Sequence, residues 1–214
     1  MDGPDKLRLL ERAVTASTGS WGPFGNGRGQ GTGGSREQLV EELRGAAEGG
    51  ATVEAAGPGA ELRGEVVILA VYYPGALEIA RDLGDRLAGK VVVDIANPLN
   101  EIFDGLAPAP GTSAAEELAG SAPSGARIVK AFNTSFSGTL VERQVAGQPL
   151  DVFLAGDDEG AKETVSQLVR DGGPRAIDVG PLERARQLEG LGLLGITLQQ
   201  PLGLNFQSAW KLIS

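Results

Sequence analysis

The chain has no cysteine and no histidine. Without cysteine there is no disulfide scaffold, no thiolate zinc site and no thiol nucleophile, which fits a reducing compartment. Without histidine the usual catalytic triads and most transition-metal sites drop out, so no metal is expected and no side chain is nominated as catalytic. Long apolar runs are missing too. Nothing approaches the ~18 residues of a membrane span, and the first residues lack the apolar core of a signal peptide. A cytoplasmic protein without a membrane partner is the expectation. Basic residues are outnumbered, 19 Lys+Arg against 28 Asp+Glu, for a net charge of −9 and a pI near 4.6. Such a surface repels phosphate backbones, which argues against nucleic acid as a partner. An anionic small molecule would have to be held by local basic groups. A chemistry compatible with these absences is hydride transfer between two bound cofactors, because the cofactors themselves carry the reactive atoms.

What is present is a run of parallel-sheet signals in 214 residues, one domain or one domain with an appendage. Residues 66–71 are branched and apolar without alternation, as in a strand buried on both faces. Ala76, Leu77, Ile79, Ala80, Leu83 and Leu87 then recur at helical spacing, and Gly89 follows as a stop. Val91 to Ile95 is the next buried strand. Strand, crossover helix and strand make a parallel unit, with ligands expected beyond the carboxyl ends of the strands. Those ends carry Tyr72-Tyr73-Pro74 and Asn97-Pro98-Leu99.

Further strands are expected near 51–55, 126–132, 151–155 and 175–179. Ser35 with Gln38, and Ser113 with Glu116, have the spacing of helix-capping pairs. Asp157-Asp158 suits the start of a helix over about 159–170. Lys130 lies inside the strand ARIVKAF, and its ammonium is expected to reach the surface along the strand. Leu188, Leu191, Leu193, Leu194, Ile196 and Leu198 are apolar nearly all round a helix, with Gly190, Gly192 and Gly195 permitting close approach. This helix either covers the sheet or packs on a second subunit. Pro201 should break it, and a second short helix should hold Phe206, Trp210, Leu212 and Ile213.

Residues 1–34 differ. Gly29-Gln30-Gly31-Thr32-Gly33-Gly34 formally satisfies G-x-G-x-x-G, but no buried strand precedes it. The composition reads as a loop, of the kind GC-rich DNA yields in a wrong frame.

The stretch AVYYPGALEIARDL, the strand ending in Asn97-Pro98-Leu99, GLAPAPGTS over 105–113 and Lys130-Ala131-Phe132-Asn133-Thr134 follow one another in a familiar order. Ala155-Gly156-Asp157-Asp158 and Val179-Gly180-Pro181-Leu182-Glu183 continue it. From Ser35 to Ser214 the chain resembles the NADP oxidoreductases that depend on the deazaflavin coenzyme F-420. The reductase module of the STEAP metalloreductases is a more distant likeness.

The resemblance implies a Rossmann-like, doubly wound parallel sheet over 35–180 and a helical segment over 181–214. The family's first strand, glycine turn, helix and second strand have no counterpart in residues 1–34, expected to be poorly ordered. The implied cofactors are NADP(H) and the 8-hydroxy-5-deazaflavin coenzyme F-420. The apolar character of the C-terminal segment suggests a homodimer formed through the C-terminal helices. Ser35 and Arg36 match the pair that holds the 2′-phosphate of NADP. Tyr73 and Leu77 fall on the path of the nicotinamide ribose. Asn97, Pro98 and Leu99 fall beside the nicotinamide, and Asn133, Thr134 and Ser137 where the two rings meet. Two alternatives stay open. One is an NADPH-dependent reductase of a flavin, a metal or a small imine. The other is a catalytically dead remnant that dimerises through Leu188 to Leu198.

Arg36 supports the sharpest expectation. A charge-assisted contact to phosphate is worth ~1.5–3 kcal/mol, roughly one to two powers of ten in affinity. Arg36→Ala should raise the Kd for NADPH by about that factor and barely change NADH, as fluorescence titration would read. An equal loss for both nucleotides would assign Arg36 to the fold.

Overall fold

The computed structural model describes residues 61–213. The expected strand at 51–55 and the Ser35-Arg36 pair lie outside these residues, as does the segment 1–34. The central strands form where the apolar runs sit. β1 (Val66–Leu69), β2 (Val91–Asp94) and β3 (Arg127–Ala131) pair in parallel. Val91, Val92 and Val93 are all fully buried, because both faces of β2 are covered. Val91 and Val93 face one apolar cluster, and Val92 faces the other.

The second cluster is closed by two helices. α1 (Tyr73–Leu83) buries Ala76 and Ala80, and α2 (Ala114–Ser121) buries Ala115 and Leu118. The Ser113 hydroxyl accepts from the Glu116 amide at 3.2 Å, the expected cap. α1 ends earlier than its apolar spacing implies. Gly84 (φ 48°) terminates it, and a 3-10 turn, Gly84–Leu87, carries Leu87 into the core.

Beyond β3 come α3 (Ser137–Glu142) and a two-strand hairpin, β4 (Gln144–Val145) and β5 (Gln148–Pro149). The hairpin turns through Ala146 and Gly147, both at positive φ (51° and 74°). A non-glycine residue at the first of these positions hides the turn from sequence inspection. β6 (Asp151–Gly156) then joins β3 antiparallel, and β7 (Arg175–Asp178) pairs parallel with β6. The sheet order is β1-β2-β3-β6-β7. Its direction reverses once, because the chain re-enters the sheet from the edge where β3 ends. α4 (Glu159–Asp171), capped by Asp158, covers the first cluster through Ala161, Val165 and Val169. Helices on both faces of a mostly parallel sheet make this a Rossmann-like α/β fold.

After a 3-10 turn, Leu182–Arg184, α5 (Ala185–Thr197) crosses the face that carries α1 and α2, followed by α6 (Gln199–Leu202). Residues 204–213 are not the short helix expected of them. Asn205 and Phe206 take positive φ (51° and 58°), and the Gln199 side chain accepts the Phe206 amide at 2.8 Å. The tail instead pins itself to Asp151, a buried carboxylate at the start of β6. Arg175 grips Asp151 through two nitrogens at 3.0 and 2.6 Å. The Lys211 ammonium and the Leu212 amide add bonds of 2.7 and 2.8 Å.

Burial alone would raise the Asp151 pKa; the bonds from Arg175, Lys211 and Leu212 outweigh it and hold it at about 2, against the ordinary 3.8. The folded value lies below the unfolded one. The carboxylate's contribution is therefore complete above about pH 4 and is lost as pH falls toward 2. Asp151→Asn should destabilise the protein at pH 7 by on the order of 1–2 kcal/mol, a modest figure because Arg175 remains half in solvent. Denaturant melts of variant and wild type should converge near pH 2.

Candidate cofactor site at the carboxyl edge of the sheet

β1, β2 and β3 all end at one edge, and the loops that leave it hold five of the ten expected site residues. Asn97 follows β2 by three residues, and Asn133 follows β3 by two. Their side chains meet. Asn97 Nδ2 donates to the Asn133 carbonyl at 2.7 Å, and Asn133 Nδ2 donates to Asn97 Oδ1 at 3.0 Å. Asn133 Nδ2 also donates to the Leu188 carbonyl of α5 at 2.8 Å. This clasp joins two strand ends to the C-terminal helix.

Phe132 turns the chain into the clasp with φ 64°, a costly conformation for a bulky residue and one found where surrounding structure over-determines the backbone. Pro98 is buried beneath the first loop. Leu99 is half-buried and bridges to Leu106, and the Ala107 amide donates to the Pro98 carbonyl at 2.8 Å. These contacts fold 97–107 back on itself. Beyond it the segment 106–112 and Arg186 line a cleft of about 370 Å³. Arg186 is held there by Glu116, with bonds of 2.9 and 2.6 Å. That hydrogen bonding keeps the Glu116 carboxyl below its usual range, outweighing the effect of burial.

The remaining expected residues are placed differently. Tyr73 opens α1, and its hydroxyl donates to Glu117 on α2. Burial, then the bond to Glu117, pushes the Tyr73 pKa to about 12. Leu77 packs into the apolar cluster between sheet and helices. Ser137 is exposed at the first turn of α3.

Two buried side-chain atoms have no hydrogen-bond partner among the described residues, Asn133 Oδ1 and Thr134 Oγ1. Neighbours in the chain, they belong to the loop that leaves β3. An unmet buried polar group costs about 1–3 kcal/mol, so this pair is a candidate contact for a polar ligand group. One carbonyl acceptor beside one hydroxyl, which donates and accepts, matches the donors and acceptor of a carboxamide. The residues present thus fit the amide of a nicotinamide.

One feature of the site escaped sequence inspection. Lys130 does not reach the surface; it is fully buried, bound to Asp94 and to Glu189 of α5 at 2.7 and 3.0 Å. The signal was present as charged residues inside apolar segments: VVVDIA, IVKAF and a glutamate on an apolar helix. Burial raises the Glu189 pKa, against the pull of Lys130 and the Ala114 amide.

Gly192 shows how closely α5 approaches. A Cβ there would lie 2.1 Å from Asn97 Oδ1 and 3.0 Å from Asn133 Nδ2. Because the first atom is a side-chain tip, Gly192→Ala should swing Asn97 aside and open the clasp without unfolding the chain. The melting temperature should stay within a few degrees, since alanine regains up to about 1 kcal/mol of helix propensity. The side-chain amide signals of Asn97 and Asn133 in NMR spectra should move; unchanged signals would mean the clasp does not depend on Gly192.

No family model matches the chain. It is 32% identical to the F-420-dependent NADP reductase of Methanocaldococcus jannaschii over 146 residues, 64% of this chain and 63% of that protein. It is 35% identical to metalloreductase STEAP3 of Rattus norvegicus over 129 residues, 60% of this chain and 25% of that protein. The chain therefore spans just under two thirds of the first relative and a quarter of the second. A crystal structure from Arthrobacter sp. FB24, provisionally named an F-420-dependent NADP reductase, superposes with a TM-score of 0.73 and 25% identity. That likeness covers 98% of this chain and 96% of the other. The resemblance read from the sequence holds.

Proposed function

We propose that this chain belongs to the F-420-dependent NADP reductases and moves a hydride between NADP(H) and an 8-hydroxy-5-deazaflavin. The observation that carries the reading is the buried, unpartnered pair Asn133 Oδ1 and Thr134 Oγ1 at the carboxyl edge. It gains weight from the names of the relatives and of the Arthrobacter structure. NADP(H), when bound, supplies or takes up the hydride and needs no side-chain acid or base for that transfer.

The protein's part is to bind and orient. Asn133 and Thr134 receive the carboxamide. The Asn97–Asn133 clasp keeps both loops at a fixed spacing, and Pro98 and Leu99 wall off water beside it. Tyr73 and Leu77 lie on the ribose side, Ser137 borders the deazaflavin, and Ser35 and Arg36 take the 2′-phosphate. Arg36 also answers a need of the whole molecule, because a protein at −9 must attract an anionic cofactor locally. The protein acts in the cytoplasm as a homodimer through its C-terminal helices.

The similarity to the metalloreductase favours a second reading, in which NADPH is kept and a flavin or metal ion accepts the electrons. Assay of NADPH oxidation with coenzyme F-420, flavin mononucleotide and ferric citrate in parallel separates the two. Turnover with F-420 well above the others is expected. Turnover with flavin or iron alone would shift the assignment, and no binding of NADPH at micromolar concentration would end both. Thr134→Val keeps the shape and removes the hydroxyl. It should weaken NADPH about tenfold, the value of one hydrogen bond, while leaving the melting temperature unchanged or raised. An unaltered Kd would remove Thr134 from the site.

A further inference from the structure

Three ionisable side chains meet on the face of the sheet that carries α1, α2 and α5. Asp94 ends β2, Lys130 is its register partner on β3, and Glu189 comes from α5. All three are buried, at 1, 0 and 1% exposure. The three ammonium hydrogens of Lys130 have three acceptors: Asp94 Oδ2 at 2.7 Å, the Ala96 carbonyl at 2.7 Å and Glu189 Oε1 at 3.0 Å. Asp94 Oδ1 accepts the Ala96 amide at 2.9 Å. Ala96, the residue before Asn97, is thus held at both its N–H and its carbonyl. Glu189 also accepts the Ala114 and Ala115 amides at 3.1 and 3.3 Å, so its charge sits on the N-terminus of α2.

A buried ion cluster is a poor route to stability, since apolar replacements often do as well. What this one does provide is position. Glu189 adjoins Leu188, whose carbonyl holds Asn133, and lies one turn before Gly192, which lies against Asn97. From this geometry we infer that Lys130, with Asp94 and Glu189, is a positioning brace. It fixes the Ala96 peptide and the seat of α5 together, and so sets the Asn97–Asn133 clasp at the ring-binding edge. The consequence for turnover rests on the hydride-transfer reading; the mechanical role does not.

Lys162 serves as the comparison. It is similarly buried, paired with Glu159 and Asp178 at 2.9 Å each, and it sits at the opposite edge of the sheet. Two variants test the brace. Lys130→Met/Asp94→Asn removes the buried pair together. Glu189→Gln leaves that pair balanced and is the variant expected to fold if the first does not. NMR-detected amide exchange of Ala96, Leu99, Ala114 and Ala115 should quicken at least about tenfold in either variant, while the amides of Val152 to Ala155 stay as in wild type. Lys162→Met should lower the melting temperature without quickening those four amides. In turnover with NADPH and F-420, kcat should fall about tenfold or more, as a displacement of about an ångström can cause. The Kd for NADPH should stay within about threefold. Unchanged exchange at all four amides overturns the brace whatever the kinetics, and quickened exchange with an unchanged kcat overturns its role in positioning the site. A wild-type protein that turns over no F-420 defeats the deazaflavin reading instead, and the exchange data still decide the brace.

Discussion

An ammonium group removed from water must find three acceptors, and Lys130 finds them in three separate parts of the chain. Leaving even one of its hydrogens unpaired would cost more than most surface contacts contribute. The end of β2, the Ala96 peptide and α5 are therefore bound into one arrangement. Glu189 extends that arrangement to the start of α2. Two carboxylates facing one lysine leave an excess negative charge, which the partial positive end of α2 offsets. Such helix ends commonly receive a ligand's phosphate; here a carboxylate of the chain itself takes that place, and α2 is committed to internal structure.

The same economy shapes the rest of the carboxyl edge. Asn97 and Asn133 spend amide hydrogens on each other and on α5, and among the described residues Asn133 Oδ1 and Thr134 Oγ1 are the buried side-chain atoms without a partner. Phe132 accepts a left-handed backbone so that Asn133 can turn inward. The close approach of α5 needs a residue without Cβ at Gly192. At Gly195 a Cβ would lie 3.1 Å from the Trp210 indole nitrogen and 3.7 Å from Phe136. A Cβ at Gly190 would meet no other part of the described chain within 4 Å, so the glycines of this helix do not share one purpose.

The far side of the sheet obeys a different constraint. β6 runs against β3, and its first residue, Asp151, is a buried carboxylate answered by Arg175, Lys211 and the tail amide of Leu212. The last residues are thereby drawn into an irregular path across the strand instead of a helix. Phe206 meets Phe136 edge to face, with ring centroids 5.2 Å apart, and this contact closes the tail against α3.

Much of this was legible in the residue order. The expected strands at 66–71, 91–95, 126–132 and 151–155 form over 66–69, 91–94, 127–131 and 151–156, where apolar side chains are covered on both faces, and the one expected at 175–179 forms at the sheet edge over 175–178. Ser113 and Asp158 cap helices because their bonds span only three residues. Asn97 and Asn133 stand just past strand ends in the residue order, where open parallel sheets bind ligands. The sequence alone could not say that these two asparagines bind each other, 36 residues apart, or that Lys130 turns inward to Glu189, 59 residues away. Nor could it show Glu189 on the amides of α2, 75 and 74 residues distant. A charged residue within an apolar run is consistent with a side chain that escapes to water and with one that is paired inside. Which occurs depends on whether another part of the chain brings the opposite charge, and only the folded arrangement of strands and α5 decides that.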